Sequence, residues 1–389
     1  MKTNKSTFLK DVFICSLGAY GGPEAHYGVF TEQLVLKKKY LSEEELIELI
    51  ALTGILPGPS STQTIVAIGY KLGGPVLALL TMLVWSVPVL LFMTFLSFIS
   101  QIFSVIHVTN DILKFIGPMA VAFILTAAYH IGRKVMKDTF TILLFVFGCV
   151  TTYFIHEPWI YPLVLLSGGV ISIFVSKEKN IWNHVKMSPP WHYLVLFFLF
   201  AGGSLILSSL WNSQILLLFE HFYRYGYLVI GGGQVVVPLM YSELVEISKV
   251  MTNQEFLTGY GLVQGLPGPM FSFAAYAGGM SARGHGIIYQ ILGALAGGVG
   301  IFLPGILLIF FVYPVWEQLK QIKGIKLSLK GITSVAGGLI AASGLLLLQK
   351  NGLTVTSLAF TLFVCVLILT RKIPAPMIVI LTLICGVFL

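Results

Sequence analysis

Residues 54–63 read GILPGPSSTQ and residues 261–271 read GLVQGLPGPMF, so the tripeptide Pro-Gly-Pro interrupts an apolar run at 57–59 and again at 267–269. Proline supplies no backbone N–H and drives its predecessor away from helical geometry, which makes each tripeptide a strong helix stop. The second proline of each, Pro59 or Pro269, suits the first turn of a new helix. The match continues outward. Gly21-Gly22 lies upstream of the first tripeptide and Gly231-Gly232-Gly233 upstream of the second. FTEQLV (30–35) aligns with YSELVE (241–246), pairing Glu32 with Glu243, and LSEEELIELIAL (41–52) aligns with MTNQEFLTGYGL (251–262). Ser42 and Thr252 are suited to the N-caps of the helices that follow. The chain therefore divides into two related halves, 8–176 and 215–389, joined by an odd apolar segment at 187–211.

Composition identifies the solvent of these elements. Hydrophobic residues make up 56% and charged residues only 10%, where an ordinary soluble domain carries about 25% charged. The stretches 72–110, 115–132, 139–156, 158–176, 187–219, 284–316, 331–349, 353–370 and 373–389 contain no Asp, Glu, Lys or Arg, and each is long enough to cross a bilayer as a helix. The fold class expected is an all-α polytopic membrane protein of the cell membrane. The net charge of +8 sits in short loops between apolar spans, as the positive-inside rule requires, and not on a basic face interleaved with stacking aromatics; nucleic acid is excluded as a partner. Cys15, Cys149, Cys365 and Cys385 lie scattered without CxxC spacing and are read as small buried hydrophobes. The eight histidines form no metal-ligand spacing, so neither a metal nor a cofactor is expected. Asp11 interrupts the first apolar run, and the N-terminal segment is read as retained rather than as a signal peptide.

Lysine placement orients the halves. Lys37-Lys38-Lys39 precedes the first Pro-Gly-Pro segment, and the loop after the following long span, 105–114, holds one lysine. The second half reverses this, with Lys249 among Glu243, Glu246 and Glu255 before its tripeptide and Lys320, Lys323, Lys326 and Lys330 after its long span. If lysine marks the cytoplasm, the halves are inverted. A full count agrees when 8–35 and 43–71 each enter and leave one side, 75–104 crosses outward, and 192–211 crosses alone to flip the second half. Every strong basic cluster then falls inside, with Arg224 and Arg283 outside. Re-entrant hairpins and pairs of full spans preserve the same parity.

Irregular backbone at membrane depth is tolerated only where it is buried in protein or lines a wet cavity. A helix restarted after Pro-Gly-Pro presents free N–H groups and the positive end of its dipole, a ready anion site. Ser60, Ser61, Thr62 and Gln63 add hydroxyls and an amide after the first break, while Gln264 and Ser272 flank the second. The backbone N–H groups after Pro59 and Pro269 are expected to be the principal donors, and four half-helix ends are expected to converge near the midplane. The isolated Pro88, Pro118 and Pro304 are read as packing kinks. Ionisable residues at membrane depth are costly and usually functional, which makes Glu24, His26, Glu32 and Glu243 candidates for coupling; helix-end salt bridges are an equal expectation for the last two. Lys71 and Arg283 are expected to snorkel.

GGPEAHYGVF (21–30) followed by LSEEELIELIALTGILPGPSSTQ (41–63) resembles the N-terminal half of the chromate ion transporter family, and GGGQVVVPL (231–239) with QGLPGP (264–269) resembles its C-terminal half. The resemblance covers essentially the whole chain and suits the long, two-half form. It implies export of chromate, a tetrahedral dianion, driven by an ion gradient, with sulfate as a substrate of the same shape and charge. Gly21, Gly22, Pro23, Ala25 and His26 match the first signature, and Pro57, Gly58, Pro59 and Gln63 the second. Gly232, Gly233, Pro238, Gln264, Pro267, Gly268 and Pro269 match their C-terminal counterparts, with Gln234 beside them. Gly54 stands where the first-half signature often has Gln, and Phe271 stands where the first half has a hydroxyl. The partners expected are the oxyanion, the lipid bilayer and a second copy of the chain in a homodimer. A membrane enzyme acting on phosphorylated substrates would need an acid–base or nucleophile cluster, yet no HExxH, GxSxG or Walker-type loop is present. A passive anion channel is the nearer alternative.

Overall fold

A computed structural model describes residues 4–105, 112–155, 157, 159–178, 182, 187–211, 213–229 and 236–388, with the side chains of Glu24 and 100–105 left out. Every regular element among the described residues is helical. The first half holds α1 (Lys5–Gly18), α2 (Pro23–Phe30), α3 (Glu43–Thr53), α4 (Ser60–Val105), α5 (Ile116–Val135), α6 (Thr139–Phe154) and α7 (Ile160–Val175). An apolar helix α8 (Trp191–Trp211) leads to α9 (Gln214–Leu228), α10 (Val237–Tyr241), α11 (Asn253–Gln264), α12 (Phe273–Ala282), α13 (Ile287–Val312), α14 (Trp316–Leu319), α15 (Lys323–Lys350), α16 (Val355–Thr370) and α17 (Ala375–Phe388).

The repeat extends to details that sequence alignment does not specify. α2 runs into a π-helical turn, Thr31–Lys37, and α10 into another, Ser242–Ile247. Each turn is closed by a left-handed lysine, Lys39 (φ 53°) or Lys249 (φ 51°). The next N–H then returns to a carbonyl at the same relative place, Tyr40 to Leu34 at 2.8 Å and Val250 to Leu244 at 3.0 Å. α3 and α11 both begin with a reciprocal capping box, Ser42 with Glu45 and Thr252 with Glu255, which satisfies two helix-end donors at once. Those two glutamates also pair with Lys71 and Arg283, so the two cations expected to snorkel are ion-paired instead. The helix cap places a carboxylate within their reach.

Ion pairs also trace the chain from end to end. Lys38 lies 3.1 Å from Asp11, and the Tyr40 hydroxyl donates to the same carboxylate at 2.6 Å. The middle of α1 therefore meets the chain that leaves the π-helical turn after α2. The Lys71–Glu45 pair does the same for α3 and the first stretch of α4. Each pair of segments therefore enters and leaves at the same end of the molecule. After a break at Gly73-Gly74 the rest of α4 crosses. In the second half Arg283 meets Glu255, and α13 departs from that end. It has 26 residues, about 39 Å of helix, and the chain beyond it brings Lys320 to 2.5 Å from Glu48 in α3. α15 runs back, from Lys323 beside Glu178 at 3.5 Å to Lys350 paired with Glu246. The equivalent capping boxes thus sit at opposite ends of α13, and the two hairpin pairs are antiparallel. One expectation needs amendment: the end bearing Arg283 also carries Lys350, neutralised by Glu246.

The long helix after the main span of each half packs on the other half, α15 against α6 and α7, and α5 against α16 and α17. These crossings are close because small residues line them. A Cβ on Gly331 would lie 2.0 Å from the Gly168 carbonyl oxygen, and one on Gly338 would lie 2.0 Å from that of Phe145. Tight backbone approach replaces the hydrophobic drive that lipid does not supply. α8 is the reverse case. Ser204 is its one buried residue among those described, Val195, Phe198, Leu199 and Leu210 point outward, and Trp191 and Trp211 mark its ends, as in a lipid-facing span with interfacial anchors.

Candidate functional site

Each Pro-Gly-Pro tripeptide docks on the other half. The Gly58 N–H donates to the Val229 carbonyl at the end of α9 at 2.7 Å, and the Gly268 N–H donates to the Ala19 carbonyl at the end of α1 at 2.8 Å. Both glycines have positive φ, 127° and 107°, which side chains rarely tolerate. A Cβ on Gly58 would lie 3.0 Å from the Gly305 Cα, and one on Gly268 would lie 2.9 Å from a Val89 methyl. Val89 and Gly305 follow Pro88 and Pro304, so these two kinks are where each long span passes the opposite break.

The central N–H of each tripeptide is therefore committed to structure. In the first half α4 begins at Ser60 and the Gln63 N–H returns to the Pro59 carbonyl at 2.8 Å, which leaves the N–H groups of Ser60, Ser61 and Thr62 at the helix end. The second half restarts through a 3₁₀ turn, Met270–Ser272, in which the Ser272 N–H reaches the Pro269 carbonyl at 3.0 Å. The two sets of donors are not equivalent.

Buried side chains cluster behind the first break. His26 Nδ1 lies 2.9 Å from the Ser61 hydroxyl, and its ring meets Trp85 edge-on at 5.4 Å. Trp85 Nε1 donates to Thr62 at 3.2 Å, and Gln63 Nε2 donates to the carbonyls of Pro57 at 2.8 Å and Gly305 at 3.1 Å. Among the described residues, buried polar atoms without a well-formed hydrogen bond flank both breaks: His26 Nε2 and Gln63 Oε1 at the first, and Ser272 Oγ with the neighbouring Tyr260 Oη and Gln264 Nε2 at the second. An unmet buried donor costs about 1–3 kcal/mol, so such a concentration marks a place built for something other than stability.

A cavity of about 1120 Å³ runs from the breaks to the end of the molecule that bears the lysine loops. Gly21, Gly22, Pro23, Gly58, Ser60 and Gln264 line its inner part, and Lys134, Lys137, Asp138, Lys330 and Arg371 line its outer part. Of the expected site residues, His26, Ser61, Thr62 and Gln63 are buried beside that lining. Pro57, Pro59, Pro267, Gly268 and Pro269 shape the turns without lining the cavity. Gly232, Gly233 and Gln234, and the side chain of Glu24, lie outside the described residues. Glu32 and Glu243, aligned in sequence, part company in space. Glu32 is exposed and pairs with Lys37 at 2.7 Å, whereas Glu243 is buried and accepts from Arg224 and Tyr225, both at 2.6 Å. Arg224 also binds Glu220 at 2.8 Å. The four cavity cations were legible in the sequence only as topology markers; nothing in their spacing brings them together.

The family model for chromate transporters matches residues 7–173 and 216–388. A probable chromate transport protein of Synechococcus elongatus is 24% identical, over 96% of this chain and 93% of that protein. The chromate transport proteins of Pseudomonas aeruginosa and Cupriavidus metallidurans are 25% and 23% identical, over 87% and 92% of this chain and 80% and 87% of theirs. No solved structure matches. Four helices among those described are long and apolar enough to cross a membrane. This is a multi-pass helical membrane protein, a transporter by kinship and not an enzyme, and the chain belongs to the chromate transporter family.

Proposed function

We propose that this protein exports chromate, or a tetrahedral oxyanion of the same charge such as sulfate, across the cytoplasmic membrane at the expense of an ion gradient. Its halves, 8–176 and 215–389, act as inverted repeats on either side of the linking helix 187–211. The observation that carries the proposal is Gln264 Nε2, a buried donor that makes no well-formed hydrogen bond and has the Tyr260 hydroxyl as its near neighbour, in the wall of a cation-lined cavity that also reaches Ser60, the first residue of α4. A dianion there would accept from that amide and from the N–H groups of Ser60 and Ser61, and would face the positive end of the α4 dipole. Its desolvation is offset by several fixed dipoles that need no rearrangement. The Gly21-Gly22 break on the same cavity wall lets backbone approach the ion closely.

His26 is the coupling group in this proposal. Its Nδ1 shares a hydrogen bond with Ser61, the residue after Ser60 at the start of α4, and its Nε2 is unpartnered. A proton on that ring would add positive charge beside the anion, and binding linkage makes the two mutually reinforcing. Flux of chromate and sulfate into proteoliposomes, with and without an imposed pH gradient, tests both statements. Wild-type flux is expected to rise severalfold with the gradient, and His26→Gln is expected to keep basal flux but lose the response. Wild-type flux that ignores the gradient would identify a passive anion channel; a full response in His26→Gln removes the histidine from coupling.

The inverted arrangement has its own test. Single cysteines placed in 36–42 and 318–330 are expected to label from the cytoplasm, and one in 247–254 from outside. Labelling of 36–42 and 247–254 from the same side sinks the inverted repeat.

A further inference from the structure

We propose that the outer part of the cavity is a cytoplasm-facing anion vestibule in which Lys330 is shared between Asp138 and the incoming oxyanion. The inference rests on the function proposed above. Lys330, from the start of α15, lies 2.6 Å from Asp138, in the loop before α6. The pair therefore ties the two halves together at the cavity mouth. Both side chains are about half exposed, 47% and 45%, so an ion in the vestibule can reach them. Lys134, Lys137 and Arg371 line the same space, and Asp138 is the one carboxylate among the described residues that line it. Cations of one sign on low-dielectric walls concentrate anions and raise encounter rates.

Asp138 sets how strongly this vestibule attracts. The Lys330 ammonium, with the N–H and hydroxyl of Thr141, holds its carboxyl down at about 2. It stays ionised at every physiological pH, so the pair does not open by titration. It opens when another anion competes for Lys330. Asp138 thus acts as a built-in competitor: it occupies the lysine when the vestibule is empty and gives way to a divalent ion. It also tempers affinity, so that the anion moves on to Gln264 and the α4 terminus instead of stalling at the mouth.

A plain structural tie between the halves predicts a different pattern of variants. If the pair only holds the helices together, Lys330→Gln and Asp138→Asn should impair the protein alike. In the vestibule they act in opposite directions. Asparagine caps a helix about as well as aspartate, so Asp138→Asn keeps the start of α6 while releasing Lys330. Chromate uptake into everted membrane vesicles, measured against concentration at low and high ionic strength, separates the two. Lys330→Gln is expected to raise the half-saturating concentration about three- to fivefold, the range for a partly exposed charge, and to flatten the salt dependence. Asp138→Asn is expected to lower the half-saturating concentration, a gain that misfolding cannot imitate. Shifts in the same direction, or an unchanged value in Lys330→Gln, overturn the vestibule while leaving the inner site intact. Wild-type vesicles that take up neither chromate nor sulfate overturn the proposed function, and this inference with it.

Discussion

Replacing Pro57 and Pro59 together by alanine is expected to abolish oxyanion flux while sparing membrane insertion. Proline inside a helix costs about 3 kcal/mol, and that penalty keeps α3 from running on into α4. Once it is lifted, residues 54–60 are free to become helical and the N–H groups of Ser60 and Ser61 are consumed by intrahelical bonds. The Gly58 N–H is withdrawn from the Val229 carbonyl as well, so the first break also loses its seat on the second half. Apolar length is unchanged, and insertion responds to apolar length. The measurement is flux alongside a topology reporter such as cysteine labelling. A doubly substituted protein that inserts normally and transports at the wild-type rate removes the broken helix from the mechanism.

Gln264→Leu is expected to weaken anion binding about tenfold or more while leaving stability equal or improved. Hydrogen bonds to charged groups contribute about 1.5–3 kcal/mol, and the amide nitrogen makes no well-formed hydrogen bond in the protein, with only the neutral Tyr260 hydroxyl near it. Leucine fills nearly the same volume in a site that is 3% exposed, so no large cavity opens. Opposite signs for stability and affinity are the mark of a residue kept for a ligand, since a structural glutamine would lower stability on removal. Thermal unfolding in detergent, with half-saturation measured on the same preparation, decides between them. A destabilised variant with unaltered half-saturation assigns Gln264 to packing.

Much of this protein is written locally. Pro57-Gly58-Pro59, Pro267-Gly268-Pro269, the capping residues Ser42 and Thr252 and the uncharged spans act within a helical turn or a bilayer thickness, so they announce breaks, starts and crossings from sequence alone. Lysine placement adds orientation because membrane insertion reads loop charge. The errors are of one kind. Lys71 and Arg283 read as snorkelling cations because Glu45 and Glu255, far from them along the chain, come within reach only after each hairpin folds back. Glu32 and Glu243 both form the salt bridges expected as one of their two roles, but alignment does not show that the second is buried against Arg224 of α9 while the first is exposed beside Lys37.

Tertiary structure alone decided how the breaks meet and where the cavity opens. The crossed bonds from Gly58 to Val229 and from Gly268 to Ala19 join backbone groups that carry no sequence signature, since every residue but proline has an N–H and every residue a carbonyl. Lys134, Lys330 and Arg371 come from three separate helices and face one cavity only because α5, α15 and α16 pack across the boundary between halves. A repeat in sequence implies two similar sites, but a cavity open at one end belongs to one of them at a time. Its walls are set by how antiparallel halves lean on each other, a long-range packing balance to which neither half's sequence refers.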